Sequence, residues 1–110
     1  MSQPYVVISD LSAQISDIQT DSIVSRTLYN EATSRAILFG FAPGQELSQH
    51  STPMAATLHF LEGAATLTLG QDELEVGPGT LIYMPPSLPH SVRAHEQVLM
   101  LLTMIKGSAA

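Results

Sequence analysis

The sequence predicts an all-β fold, a small barrel or sandwich of antiparallel strands, on three observations. Short apolar or alternating runs recur along most of the chain at intervals of about 8–12 residues, the spacing typical of such folds. Nearly every gap between them carries glycine or proline, the residues that break strands and build turns. No segment sustains a helical period beyond a turn or two, and no internal repeat suggests a solenoid. With 110 residues, 45% of them hydrophobic, the chain is expected to form one domain over residues 1–110 rather than a disordered segment.

The elements follow in order. Residues 4–8 (Pro-Tyr-Val-Val-Ile) read as a short strand whose leading proline suits a sheet edge. The pattern then weakens from Ser9 to Ser22, where Leu11, Ile15 and Ile18 fit an amphipathic turn or two capped by Asp10. Ile23 to Tyr29 and Arg35 to Ala42 alternate, and the turn Asn30-Glu31-Ala32-Thr33-Ser34 joins them into a hairpin. Beyond Pro43-Gly44, strands are expected over 46–52, 55–61, 64–69, 72–76, 80–84, 90–95 and 98–105. The last of these, Val98 to Ile105, is apolar on both faces, as in a strand buried within two layers or at a subunit interface. Residues 1–42 thus supply N-terminal strands and a short irregular or helical segment. Residues 43–105 form the core, and 106–110 a loose tail.

Composition excludes several functions. Four basic residues stand against ten acids, a formal charge of −6, which argues against nucleic acid and against anionic membranes as partners. The longest apolar run, Val98 to Ile105, is too short to span a bilayer, and the first residues lack a signal-peptide pattern. A cytoplasmic location is the default expectation. Cysteine is absent, which removes disulfides and thiolate chemistry. No nucleophile elbow, phosphate-cradling glycine loop or His-Glu-x-x-His is present. Ser48, Ser51 and Ser91 neighbour histidines but have no orienting acid at a recognisable position, and Asp72 and Glu73 fall in a solvated hairpin turn.

The informative stretch runs from Gly44 to His90. Gly44 and His50 are separated by five residues, and Gly63 closes the segment. Further on, Gly79, Pro85 and His90 form a second spaced set. These spacings resemble the two motifs of the cupin superfamily, small conserved β-barrels, and the likeness covers Pro43 to Ile105. It implies a double-stranded β-helix, or jelly-roll, barrel of two antiparallel sheets. In metal-binding cupins three histidines and a glutamate hold one divalent ion. Here the second histidine position of the first motif holds Thr52 and the glutamate position holds Ala56. In the second motif Ser87 replaces a glycine and Ala94 an asparagine. His50 and His90 are therefore the metal candidates, for zinc, iron, manganese, nickel or copper. Two imidazoles fall short of the three or four protein donors such ions normally take.

Strand alternation nominates the pocket. His50, Thr52, Met54 and Ala56 share parity and are expected to point into the barrel, with Leu58, Phe60, Met84 and Met100 completing an apolar lining. Methionines beside two histidines, Met104 among them, also form a soft, copper-like set, although methionine commonly just fills irregular cores. Glu46 and Tyr83 are reserve ligands, His59 faces away from the pocket, and His95 is read as exposed.

Three functions follow. The first is a small-molecule-binding or sensing barrel whose apolar pocket is anchored by the two histidines, with weak divalent-metal binding as an accessory property. The second is a metal-dependent oxygenase or isomerase using His50, His90 and a non-standard third ligand. The third is a dimeric structural module without ligand. A homodimer is expected in each, because small cupins commonly pair and the first and last strands are apolar edge candidates.

Overall fold

The first alternating runs pair as a hairpin: β1 (Ile23–Asn30) lies antiparallel to β2 (Ser34–Phe41). Seven further strands follow in the computed structural model, which describes residues 5–107. They are β3 (Glu46–His50), β4 (Ala55–Glu62), β5 (Ala65–Leu69), β6 (Asp72–Val76), β7 (Leu81–Met84), β8 (His90–Ala94) and β9 (Val98–Ile105). One sheet runs β1-β2-β9-β4-β7 and the other β3-β8-β5-β6, and every ladder is antiparallel. Each strand boundary lies close to where the turn residues placed it. The main exception is β3, which ends at His50 rather than continuing through Thr52.

The two sheets face each other across a core that alternation builds. On β4, Ala56, Leu58 and Phe60 point inward and are essentially inaccessible, and on β8 Val92 and Ala94 do the same. Val98, Met100 and Met104 of β9, Ile37 and Phe41 of β2, and Ala65 and Leu67 of β5 fill the space between. Side chains of this size each contribute about 1.5–3 kcal/mol when fully buried. β9 lies between β2 and β4, so its two apolar faces are explained by a central position. The expectation that it offers a free edge is therefore corrected.

The N-terminal segment does something other than pair. Residues 5–8 are not in a strand, and Tyr5, Val6 and Val7 are largely exposed; Pro4 of the expected strand lies outside the described residues, as does most of the expected tail. A run of three apolar residues has high strand propensity, but no sheet edge receives it here. Residues 12–14 form one 3₁₀ turn, and Asp10 does not cap it: no side chain does, and the Asp10 carbonyl instead accepts from the Gln14 amide group. The apolar residues Ile15 and Ile18 nevertheless find a surface. They press on Gly40, where an added Cβ would lie 2.7 Å from Ile18 Cδ1. Arg26 Nη1 donates to the Gln14 carbonyl and ties the same segment to β1. This cover lies on the outward face of β2, where Leu38 is fully buried.

The far end of the barrel is closed by a close approach of two corners. Gly63, at the β4–β5 turn, has φ +83°, and a Cβ there would sit 2.0 Å from the Gln97 carbonyl oxygen of the β8–β9 turn. Only glycine fits both the backbone angle and the contact. At the opposite end the β3–β4 loop (51–54) and the β7–β8 loop (85–89) are joined by a hydrogen bond from Ser87 N to the Thr52 carbonyl at 2.7 Å. No helix among the described residues is long and apolar enough to cross a membrane.

Candidate functional site

His50 is the last residue of β3 and His90 the first of β8, and the two are direct partners in that ladder. His90 shares its face with buried Val92 and Ala94, so it points into the barrel, and it is 5% exposed. Upstream, Leu47 pairs with Val92 and also faces the core. Leu47 and His50 differ in parity, and a register shift between them accompanies the approach of the His50 ring to His90, although His50 itself is exposed at the strand end. The imidazole rings come together at 4.2 Å between centroids, tilted by 57°.

Each ring is held by a carbonyl two residues before it. His50 Nδ1 lies 2.8 Å from the Ser48 carbonyl oxygen, and His90 Nδ1 lies 2.9 Å from that of Leu88. A carbonyl only accepts, so both Nδ1 atoms carry hydrogen and both Nε2 atoms keep a lone pair in the neutral rings. Burial holds the His90 pKa below its ordinary value, the Leu88 carbonyl opposes this, and the neighbouring His50 charge adds to the lowering.

One register row crosses the other sheet at this end of the barrel: Arg35, Met104, Ala56 and Met84, each opposite the next. Ala56 and Met84 were expected at the pocket and lie on this row. Thr52 and Met54 belong to the β3–β4 loop, so strand parity does not govern them. The Thr52 carbonyl holds Ser87, its hydroxyl accepts from Met54 N at 3.4 Å, and Met54 packs on the core. Leu58 is one inward layer deeper. Phe60 and Met100 pair with each other at the closed end, about 13 Å along the strand from Ala56 at the usual rise per residue, and serve as core.

The reserve ligands do not join the histidines. Glu46 is exposed and opposite Arg93, whose neighbours Val92 and Ala94 take the inner face. Tyr83 is 61% exposed on the outer face of β7. His59 takes the outer face of β4, opposite Leu101 and Leu81, as parity requires. Among the described residues no three histidine, aspartate or glutamate side chains are grouped as a metal site would need. Two imidazoles with threonine and alanine at the remaining positions do not fit a self-sufficient site for a divalent ion.

Two groupings escaped sequence reasoning. Arg35 has the parity of Ile37, Phe39 and Phe41 and so belongs to the inner face; an arginine heading that apolar series was the readable signal. The second is on the outer face of the β3-β8-β5-β6 sheet. The Thr66 hydroxyl donates to Glu75 Oε2 at 2.7 Å, and His95 Nε2 donates to Thr66 Oγ1 at 2.6 Å and to Glu75 Oε1 at 3.0 Å. The Thr66 hydrogen bond, followed by the His95 contacts, holds the Glu75 carboxyl below its usual range. His95 is exposed as expected, but its partnership depends on β5–β6 pairing that spacing alone does not show.

Fold and site together define a β-barrel of the cupin class, and the comparisons agree. The cupin domain pattern matches residues 37–106, and the chain belongs to this family. A conserved protein of unknown function from Streptococcus pyogenes is similar over 99% of this chain and 93% of its own, with 33% identity and a TM-score of 0.82. A cupin superfamily protein from Desulfitobacterium hafniense shares the fold at 18% identity, with a TM-score of 0.82 and coverage of 91% and 94%. Salicylate 1,2-dioxygenase from Pseudoaminobacter salicylatoxidans does so at 16% identity and a TM-score of 0.72, over 78% of this chain and 27% of that one. A comparison with curated protein sequences finds no match.

Proposed function

We propose that this cupin binds a small organic molecule at the end of its barrel where His50 and His90 meet. The observation that supports it best is the histidine pair: two rings in contact, each locked by its Nδ1 on a carbonyl and each keeping a lone pair at Nε2. Leu69 is the ladder partner of His90, and Met54, Met84 and Leu88 pack with the core. A mostly apolar surface with a few fixed polar atoms is the usual composition of a small-ligand site. The donor set favours binding over metal-dependent catalysis. Screening small molecules by thermal shift tests the reading. Ligands that raise the melting temperature of the wild type and not of a His50→Ala, His90→Ala double variant support it. Equal shifts in both proteins would refute it.

A homodimer is a further part of the proposal. Its support is the outer face of β7, an edge strand on which Leu81 and Tyr83 are 68% and 61% exposed. Light scattering at micromolar concentration is expected to give twice the mass of the chain, and a monomer mass would contradict it.

A further inference from the structure

We propose that two copies of this chain exchange their N-terminal segments, residues 5–8 of each adding as a strand along the free edge of β7 in the other. This rests on the homodimer reading above and names the segment that joins the copies.

On one side of the exchange is a strand without a sheet. Tyr5, Val6, Val7 and Ile8 are aromatic or β-branched, the residues that favour extended pairing. They belong to no ladder, and Tyr5, Val6 and Val7 are 64%, 52% and 68% exposed. Adjacent large apolar side chains left in water mark a surface that meets something else.

On the other side is a sheet edge without a strand. β7 pairs with β4 alone, so the backbone groups along its second side have no ladder. The other three edge strands carry charges, which discourage pairing: Arg26 on β1, Glu46 on β3, and Asp72, Glu73 and Glu75 on β6. β7 carries none, and its four residues match the length of the segment. Parity matches as well. Tyr5 and Val7 would fall on one face beside exposed Leu81 and Tyr83, with Val6 and Ile8 on the other beside Ile82 and buried Met84. Aromatic and β-branched neighbours across a ladder are favourable pairs.

The segment starts far from its own β7. Ile15 and Ile18 press on Gly40 of β2, and Arg26 of β1 holds the Gln14 carbonyl, so the N-terminal cover is anchored on the β1–β2 side. From β2 to β7 is three strand spacings, roughly 14 Å across the outer face. Within the single chain the segment makes no ladder with that edge. A two-fold pair of copies satisfies both segments and both edges with one repeated contact, a strand addition.

The chain has no cysteine, so introduced thiols report the contact directly. A 15N-labelled Val7→Cys chain is mixed with an unlabelled Tyr83→Cys chain, joined with a short bis-maleimide, and the linked peptides are read by mass spectrometry. The expected product joins the labelled segment to the unlabelled β7. In parallel, light scattering over a dilution series compares the wild type with Val7→Pro, which removes a backbone donor that no ladder of the single chain uses. The variant should dissociate at roughly tenfold higher concentration or more, the effect of losing a ladder hydrogen bond. No link between the two chains, or a Val7→Pro protein that dissociates like the wild type, would overturn the exchange and leave the dimer standing on another surface. A Val7→Cys, Tyr83→Cys double variant that links only within one chain would place the segment on its own β7 and overturn it too. A wild type of single-chain mass would overturn both readings.

Discussion

His50 and His90 face each other as direct partners across the β3–β8 ladder, with ring centroids 4.2 Å apart. They are forty residues apart in sequence, yet each approaches through the same local device, a carbonyl two residues earlier that binds Nδ1. The pairing places two fixed acceptors at one end of the barrel, beside a largely apolar core, and the functional reading follows from that.

The first prediction concerns pH. Burial lowers the His90 pKa in the folded protein, so the unfolded chain is the form that binds the proton more readily. Above the ordinary value of 6.5 both forms are neutral and nothing is lost. As pH falls through that value the unfolded chain gains a proton that the folded chain resists, and stability declines. Urea denaturation between pH 8 and pH 5 should show this slope in the wild type and a shallower one in His90→Gln. Equal slopes would show that burial of this ring is not what resists the charge.

Glu75 predicts a separate acid limb of the same curve. Its folded pKa is lowered, so its contribution is present above the ordinary 4.5 and disappears as pH falls through the folded value. Thr66→Val removes the largest cause of that lowering. The variant should lose less stability than the wild type between pH 5 and pH 3. An unchanged acid limb would mean that the Thr66 hydroxyl does not stabilise the carboxylate.

Two turn positions should respond in opposite directions. Gly63→Ala places a Cβ against the Gln97 carbonyl at a positive φ and is expected to cost about 2–4 kcal/mol. Ser87 adopts φ +68° in the loop beside the histidines, at the place where the family pattern has glycine. Ser87→Gly should relieve about 1 kcal/mol of left-handed strain, less the added freedom of the unfolded chain. Chemical denaturation of both variants checks the pair, and a stable Gly63→Ala protein would contradict the close approach of the two corners.

The cover over the outer face of β2 is testable at Gly40. Its Cβ would meet Ile18 and Ile15, side chains that can shift, so Gly40→Ala should cost about 1 kcal/mol and loosen the N-terminal segment. Limited proteolysis near residues 15–22 should quicken in the variant. No change in cleavage would mean that Ile15 and Ile18 are not pinned there.

Much of this architecture was legible because turn chemistry is local. Pro43-Gly44, Gly63, Gly70 and Gly77-Pro78-Gly79 mark ends that the strands respect, and the spacing around His50 and His90 led to the same barrel. What was not legible depends on neighbours across the sheet. Residues 5–8 have strand composition, but only the sheet order shows that no edge takes them. The register shift between Leu47 and His50 decides that Glu46 points away from the site, and single-strand parity cannot see it. Arg35 is conspicuous only once β2 is known to turn that parity inward.

The most direct measurement is metal content of protein purified without chelator, alongside a His50→Ala, His90→Ala double variant. Two imidazoles beside Thr52, Ala56 and an inward Arg35 are expected to retain well under one equivalent of any divalent metal in both proteins. Ligand-dependent stabilisation should be confined to the wild type. Near-stoichiometric metal in the wild type, lost in the double variant, would contradict the binding-barrel account and establish a metal centre in its place.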